Sequence, residues 1–190
     1  ERLRNALPAY AAALVSRPAL EEAAANEGFI NAGPEKLLAN TEQGVLRRIP
    51  TVAMIGDQPM LSLPLEMVRL ALGTDTAPGI ELDSRGMSAI RLGDYRLPTQ
   101  ANGEVLLHFG KASSGYYLSA TDVLAGKHPA ELFNDHFVII GFNSAGLRDR
   151  VITPLGESLP GVDIHVQMIE SLLGNTALHR PGVLEMLEMG

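Results

Sequence analysis

The chain has 190 residues, of which 46% are hydrophobic and 19% charged, and a net charge of -7. That is long enough for one domain with a sizeable core and too apolar for wholesale disorder. The acidic balance, 15 Lys+Arg against 22 Asp+Glu without a basic run, argues against a phosphate-neutralising nucleic-acid binder, and the absence of cysteine removes thiolate enzymes, Cys-ligated zinc and disulfide scaffolds.

The first 25 residues are rich in Ala, Leu and Glu. Leu3, Leu7, Tyr10 and Leu14 recur at helical spacing, with Pro8 inside the pattern. Pro18 opens a second expected helix and Asn26-Glu27-Gly28 stops it. Phe29-Ile30-Asn31 reads as a short strand, broken at Gly33-Pro34. Thr41-Glu42-Gln43-Gly44 is a turn, residues 45–55 read as one strand, and Gly56-Asp57-Gln58-Pro59 is the next turn. Pro64 fits the first turn of a helix whose buried stripe is Leu65, Val68 and Leu72 and whose stop is Gly73. Residues 80–82, 89–92 and 103–109 read as strands around turns at Ser84-Arg85-Gly86 and Gly93-Asp94. Ser119 is placed to cap a short helix, with Asp122 three residues on as in a capping box.

The last third is the most regular. Residues 137–141, Phe-Val-Ile-Ile-Gly, form a continuous apolar run, as expected of a strand buried on both faces. A polar loop, residues 143–161, follows. A helix is expected from Val162 to Leu173, with Val162, Val166, Ile169 and Leu173 on one face and Gly174 as stop. His165 aligns with Met168 and Leu172 at the margin of that face. No run approaches the ~18 apolar residues that span a bilayer, and no repeat or linker divides the chain, so a single domain over 1–190 is expected.

Strand, loop and helix in this order make the loop the place to look for chemistry, because ligands in open α/β sheets sit at the carboxyl ends of strands. Gly141 and Gly146 have P-loop separation, but Leu147 and Arg148 stand where Lys and Ser/Thr belong. Ser144-Ala145-Gly146 supplies half of a nucleophile elbow, with Phe142 where the first Gly is needed. A serine hydrolase using Ser144 and His165 is thus the alternative enzyme reading. Asp149, Asp163 and His165 offer metal-ligating types, but a two-residue spacing splays Asp163 from His165 on a helix. No metal and no cofactor is expected. Asp163 in a first turn complements the helix dipole.

The order of several short motifs resembles the second type of CHASE domain, a cyclase/histidine-kinase-associated sensory extracellular domain. Gly28-Phe29-Ile30-Asn31, Gly44-Val45-Leu46-Arg47-Arg48-Ile49-Pro50, the Leu-rich helix ending at Gly73, Asp122-Val123-Leu124-Ala125-Gly126, and the stretch from Phe137 through Ala145-Gly146-Leu147-Arg148-Asp149, Thr153-Pro154-Leu155 and Pro160-Gly161-Val162-Asp163-Ile164-His165 carry it, over about residues 28–181. The resemblance implies an α/β fold: a mixed, mainly parallel central sheet with flanking helices, here lacking the family's N-terminal strands. It implies a sensory input domain, periplasmic or extracellular, of a bacterial inner-membrane receptor. The output would be a histidine kinase, an adenylate or diguanylate cyclase, or a Ser/Thr kinase.

On that reading the domain itself is no enzyme, and residues 181–190 start the exit segment toward the membrane. An unassigned small-molecule or protein signal would meet Asn143, Ser144, Arg148, Asp149, Arg150, Thr153 and His165. The partners implied are a second copy, as a homodimer through the full-length receptor, and the membrane through flanking segments, with no nucleic acid. A module that merely dimerises its receptor is a further reading.

Overall fold

The computed structural model describes residues 7–31, 45–73, 76–110, 117–142 and 150–178. The turn at 41–44, the break at Gly33-Pro34 and the exit segment 181–190 lie outside them. In chain order come β1 (Ala9–Tyr10), α1 (Pro18–Ala23), β2 (Arg48–Pro50), β3 (Val52–Ile55), β4 (Gln58–Leu61), α2 (Leu63–Ala71), β5 (Gly79–Leu82), β6 (Met87–Leu92), β7 (Tyr95–Pro98) and β8 (Glu104–Leu106). α3 (Ala120–Leu124), a 3-10 turn (Ala130–Phe133), β9 (Arg150–Ile152), β10 (Ser158–Pro160) and α4 (Gly161–Leu173) complete the order.

The strands form small sheets in the orders β1-β3-β4, β2-β8, β5-β6-β7 and β9-β10. The α/β content is as expected, whereas the described ladders do not confirm a mainly parallel sheet. β1 runs parallel to β3, with Ala9 opposite Met54, and the other ladders are antiparallel. Short turns explain this. Gly56 and Gly93, at φ 58° and 57°, fold β3 onto β4 and β6 onto β7 as hairpins, which can only be antiparallel.

The helix expected across Tyr10 is instead β1. Pro8 lacks the N–H that a helix interior needs, and its carbonyl accepts Met54 N–H at 2.8 Å. α1 starts at Pro18 as expected but buries no residue. The expected strand at 29–31 is reduced to one parallel bridge, Phe29 to Ser62. The strand expected over 45–55 is interrupted at Thr51, whose N–H and hydroxyl both turn to the carbonyl of Gly103, at 2.9 and 2.7 Å. Ser119 makes no side-chain cap, and Asp122 pairs instead with Lys127 at 2.6 Å.

The run 137–141 is not the doubly buried strand its composition suggests. Phe137 and Ile139 pack against the core, whereas Val138 and Ile140 are 52% and 91% exposed. Apolar composition alone cannot say whether a second face has a neighbour. Leu72 and Leu173, assigned to buried stripes, are exposed as well.

One core unites the pieces. Ile49, Val52, Leu65, Met87, Ile90, Leu97, Ile164 and Met168 are at most 1% exposed, Val105 and Val68 slightly more. Transfer of such side chains from water stabilises by about 1.5–3 kcal/mol each before chain entropy is set against it. α2 and α4 pack on each other within it, and the hydroxyl of Ser62 reaches the sulfur of Met168 at 4.0 Å. Inside α2, Glu66 and Arg69 form a forked ion pair at 2.7 and 2.9 Å, both nearly buried, with Asn26 donating to Glu66 at 2.7 Å. The one-turn spacing puts both groups on the same helix side, and the Asn26 contact fastens the chain that leads into Phe29. At the surface, the guanidinium groups of Arg96 on β7 and Arg91 on β6 both reach Glu81 of β5 and hold its carboxyl below the usual carboxylate range.

Gly28 lies where a side chain has no room. A Cβ there would stand 2.5 Å from Leu63 Cα, at the backbone of α2's first residue. Gly28→Ala is therefore expected to lower stability by about 1–3 kcal/mol. A urea-denaturation midpoint equal to that of the parent chain would contradict this close approach.

Candidate functional site

α4 is the element around which the candidate residues gather, and its start follows from the preceding hairpin. β9 and β10 pair with Val151 opposite Leu159 and Arg150 opposite Pro160. Thr153 N–H donates to Glu157 O at 2.9 Å and Thr153 O accepts Gly156 N–H at 3.0 Å, closing the turn. Pro160 then precedes Gly161, the first residue of α4. A proline here suits a helix start, where free N–H groups have no carbonyl partners.

Of the residues that the sequence nominates, Asn143, Ser144, Arg148 and Asp149 lie outside the described residues. Arg150, Thr153 and His165 are described, and all three sit on the hairpin or the first turns of α4. The Arg150 guanidinium donates to the Ser158 hydroxyl at 3.0 Å and also to the Ser158 carbonyl, bracing the hairpin across its strands. Thr153 is 1% exposed, and among the described residues its hydroxyl meets no hydrogen-bond partner; the buried Oε2 of Glu157, in the same turn, meets none there either. Buried polar groups of this kind are uncommon in folded proteins. His165 is 9% exposed on the second turn of α4, in keeping with its expected place beside Met168 and Leu172.

Tyr117 joins the site without having been nominated by any motif in the sequence. Its hydroxyl donates to the Oδ2 of Asp163, which is 6% exposed in the first turn of α4. Asp163 thus accepts a phenol as well as facing the positive helix end. Burial and the Asp163 carboxylate push the Tyr117 phenol up to about 12, with Arg150 opposing the shift. Arg150, Tyr117 and Asp163 therefore form one electrostatic group at the head of the helix. Forty-six positions separate Tyr117 from Asp163, and no local pattern in the sequence signals such a pair.

Farther along, α4 is held to the sheets by polar ties. Gln167 Oε1 accepts Gly110 N–H at 2.8 Å, Tyr95 Oη donates to Leu172 O at 3.1 Å, and Ser171 Oγ lies 3.5 Å from His108 O. Beyond its end, Leu178 N–H donates to Leu106 O at 3.0 Å. The helix stops at Gly174, but Asn175, at φ 49°, takes the left-handed conformation that often follows a helix end.

This arrangement offers a cation, a carboxylate, a phenol and an imidazole near one helix terminus, and it can orient a polar group by charge and hydrogen bond. Among the described residues no group of three His, Cys, Asp or Glu is placed to hold a metal ion. No described helix is long and apolar enough to cross a membrane. In comparisons with known proteins, the family model of the CHASE2 domain matches residues 1–189. No curated protein and no solved structure matches the chain.

The Tyr117 shift has a sign that alkaline titration reads. The phenol is raised in the folded chain above its usual value of about 10, so its contribution to stability is complete below that pH. The contribution is lost as the pH rises through about 12. The difference in phenolate absorbance between the parent chain and Tyr117→Phe should rise near pH 12 and move lower in Asp163→Asn. A midpoint near 10 in the parent chain would contradict the contact.

Proposed function

The chain belongs to the CHASE2 domain family, whose members are extracellular sensory domains of signalling proteins, and from that premise we propose that it is the extracytoplasmic input module of a bacterial membrane receptor. The family is sensory, not catalytic. The observation that carries the reading is the span of the match, residues 1–189, which leaves no room for a separate catalytic unit within those limits. On this proposal the chain lies between membrane segments and feeds a histidine kinase, a nucleotide cyclase or a Ser/Thr kinase on the cytoplasmic side.

The proposed sensing element is the segment 143–161 with the first turns of α4. Asn143, Ser144, Arg148 and Asp149 belong to it by sequence, and Arg150, Thr153 and His165 also by their neighbourhood at the helix start. A signal can alter output only if it binds one arrangement of the exit path better than another. What supports α4 as that path is its continuity. The same helix carries Asp163 and His165 near its head and leads within a few residues to Leu178, which is tied to β8. A displacement of the head is therefore passed on through a rigid element rather than a loose loop.

Two experiments test this. Alkaline phosphatase joined after Leu178 in the native full-length protein should be active in intact cells, while a fluorescent protein that folds only in the cytoplasm should stay dark at that position. The reverse pattern would contradict the extracytoplasmic reading. For the sensing element, His165→Ala in the full-length receptor should change basal output or signal response about fivefold or more, the scale of an ordinary coupling energy. Unchanged output, together with an unchanged melting temperature of the domain, would contradict it.

A further inference from the structure

Between β7 and β8 the chain turns through residues 99–103, and the backbone of that turn is tied on several sides. Gln100 N–H donates to Glu104 O at 2.7 Å, Gly103 N–H to Gln100 O at 2.9 Å, and Met87 N–H to Ala101 O at 2.9 Å. Gly103 O accepts both the N–H and the hydroxyl of Thr51, at 2.9 and 2.7 Å, and Thr51 is wholly buried. Gly103 has φ 78°, and a Cβ there would stand 2.7 Å from Leu7 Cδ2 and 3.1 Å from Met87 Sδ. Its neighbour Asn102 is exposed, with Oδ1 accepting the N–H of Glu104 at 3.2 Å. Asn102-Gly103 is the one Asn-Gly pair of the sequence. Glycine leaves its own amide nitrogen unhindered and its φ free, so the nitrogen of Gly103 is the backbone atom best able to reach an asparagine carboxamide.

We propose that Asn102 is a site of spontaneous, backbone-assisted deamidation that the folded turn holds in check. The Gly103 nitrogen attacks Asn102 Cγ and forms a five-membered succinimide. The Cγ–Nδ2 bond breaks, and ammonia leaves with the proton that the Gly103 nitrogen gives up. Water then opens the ring at either carbonyl, which yields aspartate or isoaspartate. In the fold the Gly103 N–H is committed to Gln100 O and the Asn102 oxygen to the Glu104 N–H, so ring closure must wait for the turn to open locally. The two products differ in what the fold can accept. Aspartate keeps an oxygen for the Glu104 N–H. Isoaspartate adds a methylene to the main chain, about 1.5 Å of extra length, and pushes Gly103 against Leu7, Met87 and Thr51. The buried Thr51 hydroxyl then loses its acceptor, a costly loss for a group shut off from water. Thr51 joins β2 to β3, and β8 beyond the turn holds Leu178 through Leu106 O, so the damage falls on a joint of the core. The inference stands whether or not the sensory role holds.

Peptide mapping of the full chain by mass spectrometry, after storage at mildly alkaline pH with and without urea, reads the conversion. In urea Asn102 should convert ahead of every other asparagine, and Gly103→Ala, which need not fold for this measurement, should slow it. Without urea the conversion at Asn102 should be slower by about tenfold or more, the factor that a local opening of modest free energy imposes. A brief protease pulse near the urea midpoint of a stored and refolded sample should remove isoaspartyl chains first, while Asn102→Asp should unfold at the same midpoint as the parent chain. Conversion as fast in the folded chain as in urea, another asparagine converting first in urea, or isoaspartyl chains as resistant to the pulse as unmodified ones would each overturn the proposal.

Discussion

The burial of α4 against α2 and the sheets is the constraint on which the rest depends. A helix of 13 residues is marginal alone in water, so its tertiary contacts decide whether it exists. Ile164 and Met168 are fully enclosed, and Ile169 and Leu172 nearly so. Among the described residues the small sheets share no continuous ladder. What joins them is therefore the common apolar cluster, with α4 as its longest member, and the polar ties that place the helix. Tyr95 comes from one sheet, Leu106 from another, and Gly110 from the chain that continues the latter.

This dependence gives the site its character. Asp163 and His165 are held in place because Ile164, Met168 and Leu172 lock the same helix into the core. The hairpin β9-β10 leads into the helix through Pro160, with Arg150 bracing the strands. Charged and polar groups at the head of α4 therefore rest on a rigid element, whereas residues 117–142, with no buried side chain, are the part able to rearrange at small cost. A sensory domain needs that contrast: a stiff path and a pliable surface in contact with it.

Local chemistry made part of this legible in the sequence. Gly73 at φ 64° ends α2 as the residue type predicts, Pro18 and Pro64 stand in the first turns of their helices, and Gly93-Asp94 turns β6 into β7. The bounds of α4 agree with expectation within one residue. Its buried face does not: Ile164, Met168 and Leu172 lead it, whereas Leu173 points out. Val162, Val166, Ile169 and Leu173 also repeat at helical spacing, and a helix with apolar residues on most sides offers periodicity more than one answer. Leu72 misled in the same way. The expected helix across Tyr10 failed because a tertiary partner, β3, competed for the backbone groups on either side of Pro8. The run 137–141 was legible as extended and apolar but not as uncovered, since a neighbour's presence is no property of the run itself. Tyr117 and Asp163 meet only through the fold, and the order of motifs that points to the family says nothing of that contact.

α4 must be a permanent part of the core if it is to serve as a stiff path from the hairpin toward Leu178. Amide hydrogen exchange of the full chain measures this directly. The interior amides of residues 165–172 should exchange only through global unfolding, with the free energy that urea denaturation gives, while those of residues 137–142 exchange far faster. Exchange of the helix amides at much lower free energy than global unfolding, or amides of 137–142 as protected as those of the helix, would contradict it.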